Sequence, residues 1–187
     1  QRLVRPATVF AVTAMAAGVV VTFLPLVVTQ GAGNLAATAL LVQAVTMTLM
    51  RGWAGRQGAR SGNATMLIAA VLLTSAGIFV LAASSNTTVV LVAMALFGAG
   101  FGVAQNASLA LMFKGVSNVH YDAVSALWNA AYDTGLGIGA AGFGLIAAAT
   151  GYRMALALTA AMVLVVLLPA WRERAGDLAS GAPIATD

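Results

Sequence analysis

Asp133 stands inside an apolar stretch, Asn129-Ala-Ala-Tyr-Asp133-Thr-Gly135-Leu-Gly137-Ile-Gly139, with Asn129 four residues before it. In a helix that spacing puts both side chains on one face, as a single polar stripe. The stretch holds no second carboxylate, histidine or cysteine, so a paired-acid, nucleophile or metal chemistry has nothing to build on. A carboxyl group in hydrocarbon costs several kcal/mol unless it is paired, protonated or hydrated, which makes Asp133 a functional candidate by default. Two readings stay open. Asp133 couples protons or substrate to some movement, or it is one half of a buried ion pair, with Arg51 the first partner to test.

Side-chain amides recur in other apolar runs: Gln43, then the adjacent Gln105 and Asn106. An unsatisfied amide at such a place is costly, so each must face a cavity or bond a neighbouring helix. Basic residues crowd into Arg51-Gly-Trp-Ala-Gly55-Arg56-Gln-Gly-Ala-Arg60, where they act either as a gate bonding helix ends or a facing carboxylate, or as anchors near anionic lipid. Gly98 and Gly102, and again Gly135 and Gly139, are four apart and offer flat faces for close helix packing. The run Gly137-Ile-Gly139-Ala-Ala-Gly142 spells a dinucleotide fingerprint but lacks the preceding strand and the later acidic residue, so no cofactor is expected. His120, close in sequence to Ser117, Asp122 and Ser125, reads as a loop histidine rather than part of a triad, and no metal site is expected.

The elements that must hold these residues follow from composition. Of 187 residues 61% are apolar, with nine Lys or Arg, five Asp or Glu, no cysteine and a net charge of +4. A water-soluble domain carries about 25% charged residues, so a soluble enzyme or a disordered chain is excluded. The basic residues fall in short clusters between apolar runs, which excludes a nucleic-acid partner. A spanning helix needs about 20 apolar residues, and six such stretches lie near 6–28, 34–52, 65–83, 89–112, 124–149 and 153–171. They are continuous rather than alternating, which predicts helices and not barrel strands, hence an all-α membrane bundle. On these limits Asp133 is about nine residues, or roughly 13 Å, inside the fifth span. Gly31, Gly33 and Gly151 read as tight turns, and Pro25 as a kink near the end of span one.

Arg2, Arg5, Arg51, Arg56, Arg60, Lys114, Arg172 and Arg174 fall on one side and Arg153 on the other. Basic loops stay inside, so both termini are expected in the cytoplasm of a multi-pass protein of the cell membrane, with Trp53, Tyr121 and Trp171 at the inner interface and Tyr152 at the outer one. The domain is expected to cover 1–172, and 173–187, rich in Ala, Gly and Ser, to be a disordered cytoplasmic tail. A chain opening on Gln1 directly before a full span is expected to be a fragment, and its tail a true C-terminus.

The Arg51–Arg60 segment resembles the signature loop of the major facilitator superfamily, in the degenerate form of the second half of those transporters, without the acidic residue of the first-half version. Six spans with both ends inside, the Gly98-Ala-Gly100-Phe-Gly102 run and the fifth-span motif agree, so the resemblance covers about residues 6 to 172. It implies two inverted three-helix repeats forming half of a twelve-helix transporter, a missing N-terminal six-helix half as partner, and substrate bound between the halves. By the same resemblance Gln43, Gln105, Asn106 and Asn129 are substrate contacts, and Arg51, Gly55, Arg56 and Arg60 the cytoplasmic gate. The expected function is secondary transport of a small-molecule solute, not catalysis: proton-coupled efflux of a drug-like or metabolite solute, as an antiporter. The rivals are uptake or exchange of sugars or other neutral polar solutes, and a non-transporting six-helix subunit of the bilayer.

Overall fold

The computed structural model describes residues 3–28, 34–83, 85–114 and 116–180, with 59 and 177–180 described by their backbone alone. These residues are helical: α1 (Val4–Val27), α2 (Leu35–Ser61), α3 (Asn63–Ala83), α4 (Thr87–Lys114), α5 (Tyr121–Thr150), α6 (Tyr152–Val165) and α7 (Leu167–Ser180), with a short 3-10 turn at Asn118–His120. Gly31 and Gly33 lie outside the described residues.

Local chemistry sets several of the boundaries. Asn86 caps α4 by accepting the Thr88 N–H on its side-chain oxygen at 3.0 Å. Gly62 (φ 81°) and Gly151 (φ 80°) take the left-handed backbone that other residues resist, and so α2 gives way to α3, and α5 to α6, over a single residue. Pro6 sits in the first turn of α1, where its missing N–H breaks no bond.

Two boundaries differ from the sequence expectation. The second helix does not stop near 52 with a loop behind it; it continues to Ser61, and the whole Arg51–Arg60 segment is helical. Its glycines are poor helix formers, but Ala54 and Gly58 are buried and this packing outweighs propensity. The sixth span breaks at Val166, whose N–H turns back to Val163 O at 3.3 Å. Pro169 accounts for it: a proline ring collides with the carbonyl four residues earlier, here Val165, and cannot bond it. Beyond the break α7 remains helical through Ser180, into the segment expected as a tail.

By length and apolarity α1, α2, α3, α4 and the combined α6–α7 stretch can each cross a membrane. At about 1.5 Å per residue the 30 residues of α5 reach roughly 45 Å. Asp133, Asn129 and five glycines dilute the apolar run of α5, which completes the six-helix bundle.

The bundle is organised around α1 and α4, which touch each other; α5 packs along α1, α2 along α4, and α3 lies against α4 and α6. Among the described residues α2 and α5 make no contact. A Cβ on Gly135 would meet the Ala11 carbonyl oxygen, and one on Gly139 the Met15 carbonyl oxygen. A Cβ on Gly98 would meet the Gln43 carbonyl oxygen, and one on Gly102 the Met47 carbonyl oxygen. Both registers advance together, so α1 with α5 and α2 with α4 run parallel, backbone against backbone. Gly77 packs on Ala93 and Phe97, and Gly100 on Ala70 and Thr74, which is the antiparallel sense of α3 and α4.

Candidate functional site

The polar residues singled out in the sequence fall into two groups on different helices. Gln43, Met47, Arg51 and Gly55 follow one another at four-residue steps along α2, the spacing of a stripe that winds with a close helix crossing. Opposite them on α4 stand Gly98, Gly102, Gln105 and Asn106. Gln43 and Gln105 are buried, at 7% and 6% exposure. Among the described residues the Gln43 amide reaches only Met47 Sδ, at 3.9 Å. Asn106 comes close to Gly55, where an added Cβ would stand 3.3 Å from its Nδ2.

Arg51 belongs to this seam. Its Nη1 donates to Gln105 Oε1 at 3.4 Å, a long bond between α2 and α4. Because α2 runs on to Ser61, Arg51 is ten residues, about 15 Å, from the helix end. Gln105 is nine residues from the end of α4 at Lys114, about 14 Å, so the pair shares one depth. Trp53, Arg56 and Arg60 lie at three- and four-residue steps on a different side of α2, and all three are exposed.

The second group is on α5. Asp133 and Asn129 are exposed, four residues apart, and the Asn129 Nδ2 donates to the Ser125 carbonyl of its own helix at 2.9 Å. Asp133 is twelve residues, about 18 Å, from the start of α5 at Tyr121. The expected pair of Arg51 with Asp133 does not form, because α2 and α5 flank opposite sides of the bundle. Neither residue makes an ion pair with any described residue, whereas Arg5 at the start of α1 and Glu173 in the middle of α7 pair at 3.8 Å.

An aromatic cluster that the sequence reading missed joins the two groups. Phe10 of α1 stacks on Trp128 of α5 with ring centres 4.4 Å apart and planes within 9°. Tyr132 lies nearly parallel to both, at 6.0 and 6.3 Å, and Phe101 and Phe97 of α4 continue the array. Trp128 Nε1 donates to Ser108 Oγ at 3.0 Å, and Ser108 Oγ donates to the Gln105 carbonyl at 3.3 Å. A chain of bonds therefore runs from Arg51 on α2 through α4 to the α5 helix that carries Asp133. Only the spacing of Trp128 four residues before Tyr132 hinted at this; the partner rings come from helices remote in sequence.

The remaining candidates lie apart from both groups. His120 Nδ1 and Ser117 Oγ are 3.0 Å apart in the exposed connection before α5. Arg153, at the opposite end of the bundle, donates to Ser85 Oγ at 3.1 Å. Among the described residues no group of three or more His, Asp or Glu gathers to hold a metal ion.

A sequence model of the Major Facilitator Superfamily matches residues 7–182. Among solved structures, a crystal structure of a mutant of the peptide transporter POT in complex with sulfate shares the fold, with a TM-score of 0.75 at 17% sequence identity. The alignment takes in 92% of this chain and 37% of that one, so this chain spans little more than a third of the transporter it resembles. No curated protein matches the sequence.

Proposed function

The chain belongs to the Major Facilitator Superfamily, and on that premise we propose that it forms one six-helix half of a twelve-helix secondary transporter, the half holding spans seven to twelve. The Arg51–Arg60 segment, lacking the acidic residue of the first-half signature, supports this placement. Two inverted three-helix repeats build the half. Exchanging α1–α3 with α4–α6 turns the α1–α5 contact into the α4–α2 contact, and both are parallel pairs closed through glycine. The arginine-bearing end faces the cytoplasm, with both termini there, because Arg51, Arg56, Arg60 and Lys114 gather at it while Arg153 stands at the other.

The protein works as a proton-driven exporter that moves a small solute by alternating access. The observation that carries this is Asp133: an exposed carboxyl group about 18 Å along α5, beside Asn129, on a helix flanking the centre of the half. A group so placed exchanges a proton with one face and then the other as the two halves rock. A sugar-like neutral solute is less well served, since the Gln43 and Gln105 amides are shut into the α2–α4 seam. The exposed Asp133 and Asn129 suit a drug-like or metabolite solute with a polar head.

The test is transport by the full-length protein in proteoliposomes under an imposed pH gradient, with a panel of radiolabelled metabolites. The wild type should accumulate at least one of them against its gradient, and Asp133→Asn should only equilibrate it. Accumulation by Asp133→Asn equal to wild type would remove Asp133 from coupling.

A further inference from the structure

We propose that α7 is a hinged strap, held against the first turn of α1 by a charge clasp between Arg5 and Glu173 and released by ionic strength, whatever solute is moved. The helix is already cut off from the one that leads to it. Its backbone ladder is interrupted at Val166, whose N–H turns back to Val163 O, and Pro169 brings no N–H of its own to mend it. What keeps α7 in place is therefore its packing on α1 and α3.

That packing changes character along the helix. Val166 and Ala170 are buried and Leu167 is half-buried against the core, so the first turn is docked by apolar contact. One turn further on, the apolar contact ends. Of residues 171–176 all are exposed except Glu173, and Trp171 turns outward. The inward position that follows Ala170 at a three-residue step is thus filled by a carboxylate. Its side chain is 15% exposed, and Arg5, 34% exposed, stands 3.8 Å away. The same Arg5 Nη1 donates to the Arg172 carbonyl at 3.4 Å, so one guanidinium nitrogen reaches both groups.

Both partners sit where a single charge is disfavoured. Arg5 is in the first turn of α1, the end at which the helix dipole opposes a cation, and Glu173 is a carboxylate drawn largely out of water on the inward side of α7. Each offsets the other. Both contacts are long, however, and the pair keeps one side in solvent, so it shifts a population a few-fold rather than locking it. A helix docked by apolar packing at its first turn, broken from its neighbour at Val166 and closed farther along by a screened ion pair swings out and back as the surrounding salt changes.

The experiment uses the full-length protein in nanodiscs, spin-labelled at Gly52, which has open space around an added carbon, and at the exposed Ala175. Pulsed electron resonance reads the distance distribution as KCl is raised from about 0.01 to about 1 M, which shortens the screening length from about 30 to about 3 Å. One narrow distance is expected at low salt, with a second, broader one growing in at high salt. Arg5→Gln and Glu173→Gln should each lower the docked-to-released ratio about two- to fivefold at low salt and remove its salt dependence. Exchanging the charges, Arg5→Glu with Glu173→Arg, should restore both. Arg174→Gln, which loses an exposed charge from the same helix, should behave like wild type. An unchanged distribution in the two single variants overturns the clasp, as does an exchange variant that stays released. A wild type indifferent to salt overturns it as well, and that arm needs no substitution, so a variant that fails to fold does not shield the idea.

Discussion

Trp128 and Ser108, both buried, are joined by an indole N–H bond of 3.0 Å that fastens α5 to α4 across the face of Phe10. The helices of this pair otherwise meet sparingly, α5 resting mainly on α1. The bond therefore sets where α5, and with it Asp133, stands relative to the α2–α4 seam.

Removing that bond while keeping an aromatic ring should cost little stability but loosen this register. Trp128→Phe is expected to lose about 0.6–1 kcal/mol, the range of a hydrogen bond inside a membrane bundle, whereas Trp128→Ala should lose roughly 3–5 kcal/mol with the stacked ring. Reversible unfolding in mixed micelles separates the two. Equal losses would mean that stacking contributes nothing.

The glycine seams give a sharper contrast. Gly139→Ala puts a methyl group into the Met15 carbonyl, and Gly102→Ala into that of Met47. Each should destabilise the bundle by about 1–3 kcal/mol, as overpacking does. Gly137→Ala, on the same α5 helix but with nothing within 4 Å of its added carbon, should be neutral or gain up to about 1 kcal/mol in helix propensity. Thermal melts of the three variants side by side decide it.

Thr74 keeps a buried hydroxyl oxygen without a partner among the described residues. Replacing it by the isosteric valine removes an unsatisfied group, so Thr74→Val should match or exceed wild-type stability, by up to about 1–3 kcal/mol. A clear loss in the same melts would show that the hydroxyl is bonded in the membrane.

Pro169 is the cause assigned to the break at Val166. With Pro169→Ala the Val165 carbonyl regains a donor and α6 should run straight into α7. Spin labels at positions 158 and 176 would then report a separation near the roughly 27 Å expected of eighteen residues of continuous helix. An unchanged distance would place the cause of the break in packing against α3.

Six apolar stretches could be read directly because lipid demands long uninterrupted runs, and the glycine spacings could be read because four-residue steps are a local property of one helix. What lay hidden was tertiary. The sequence read Arg51–Arg60 as a loop, since Gly52, Gly55 and Gly58 look like one; burial of Ala54 and Gly58 keeps that stretch helical. It suggested pairing Arg51 with Asp133 from charge alone, without knowing that α2 and α5 do not touch. Phe10, Phe101 and Trp128 gave no warning of their stack, being 91 and 27 residues apart in the chain. Pro169 was legible in principle, four residues after Val165, and its neighbourhood was read only as apolar.

The glycine-to-carbonyl contacts act as detents. A one-turn slip of α5 along α1 would bring Phe143 or Ala131 to where glycines now sit, and a slip of α4 along α2 would bring in Asn106 or Met94, each with a side chain where the backbones leave no room. Shear between the flanking and central helices is thereby blocked in both pairs. The four helices tilt as a single lever, so flexing is left to the unlatched joint at Val166.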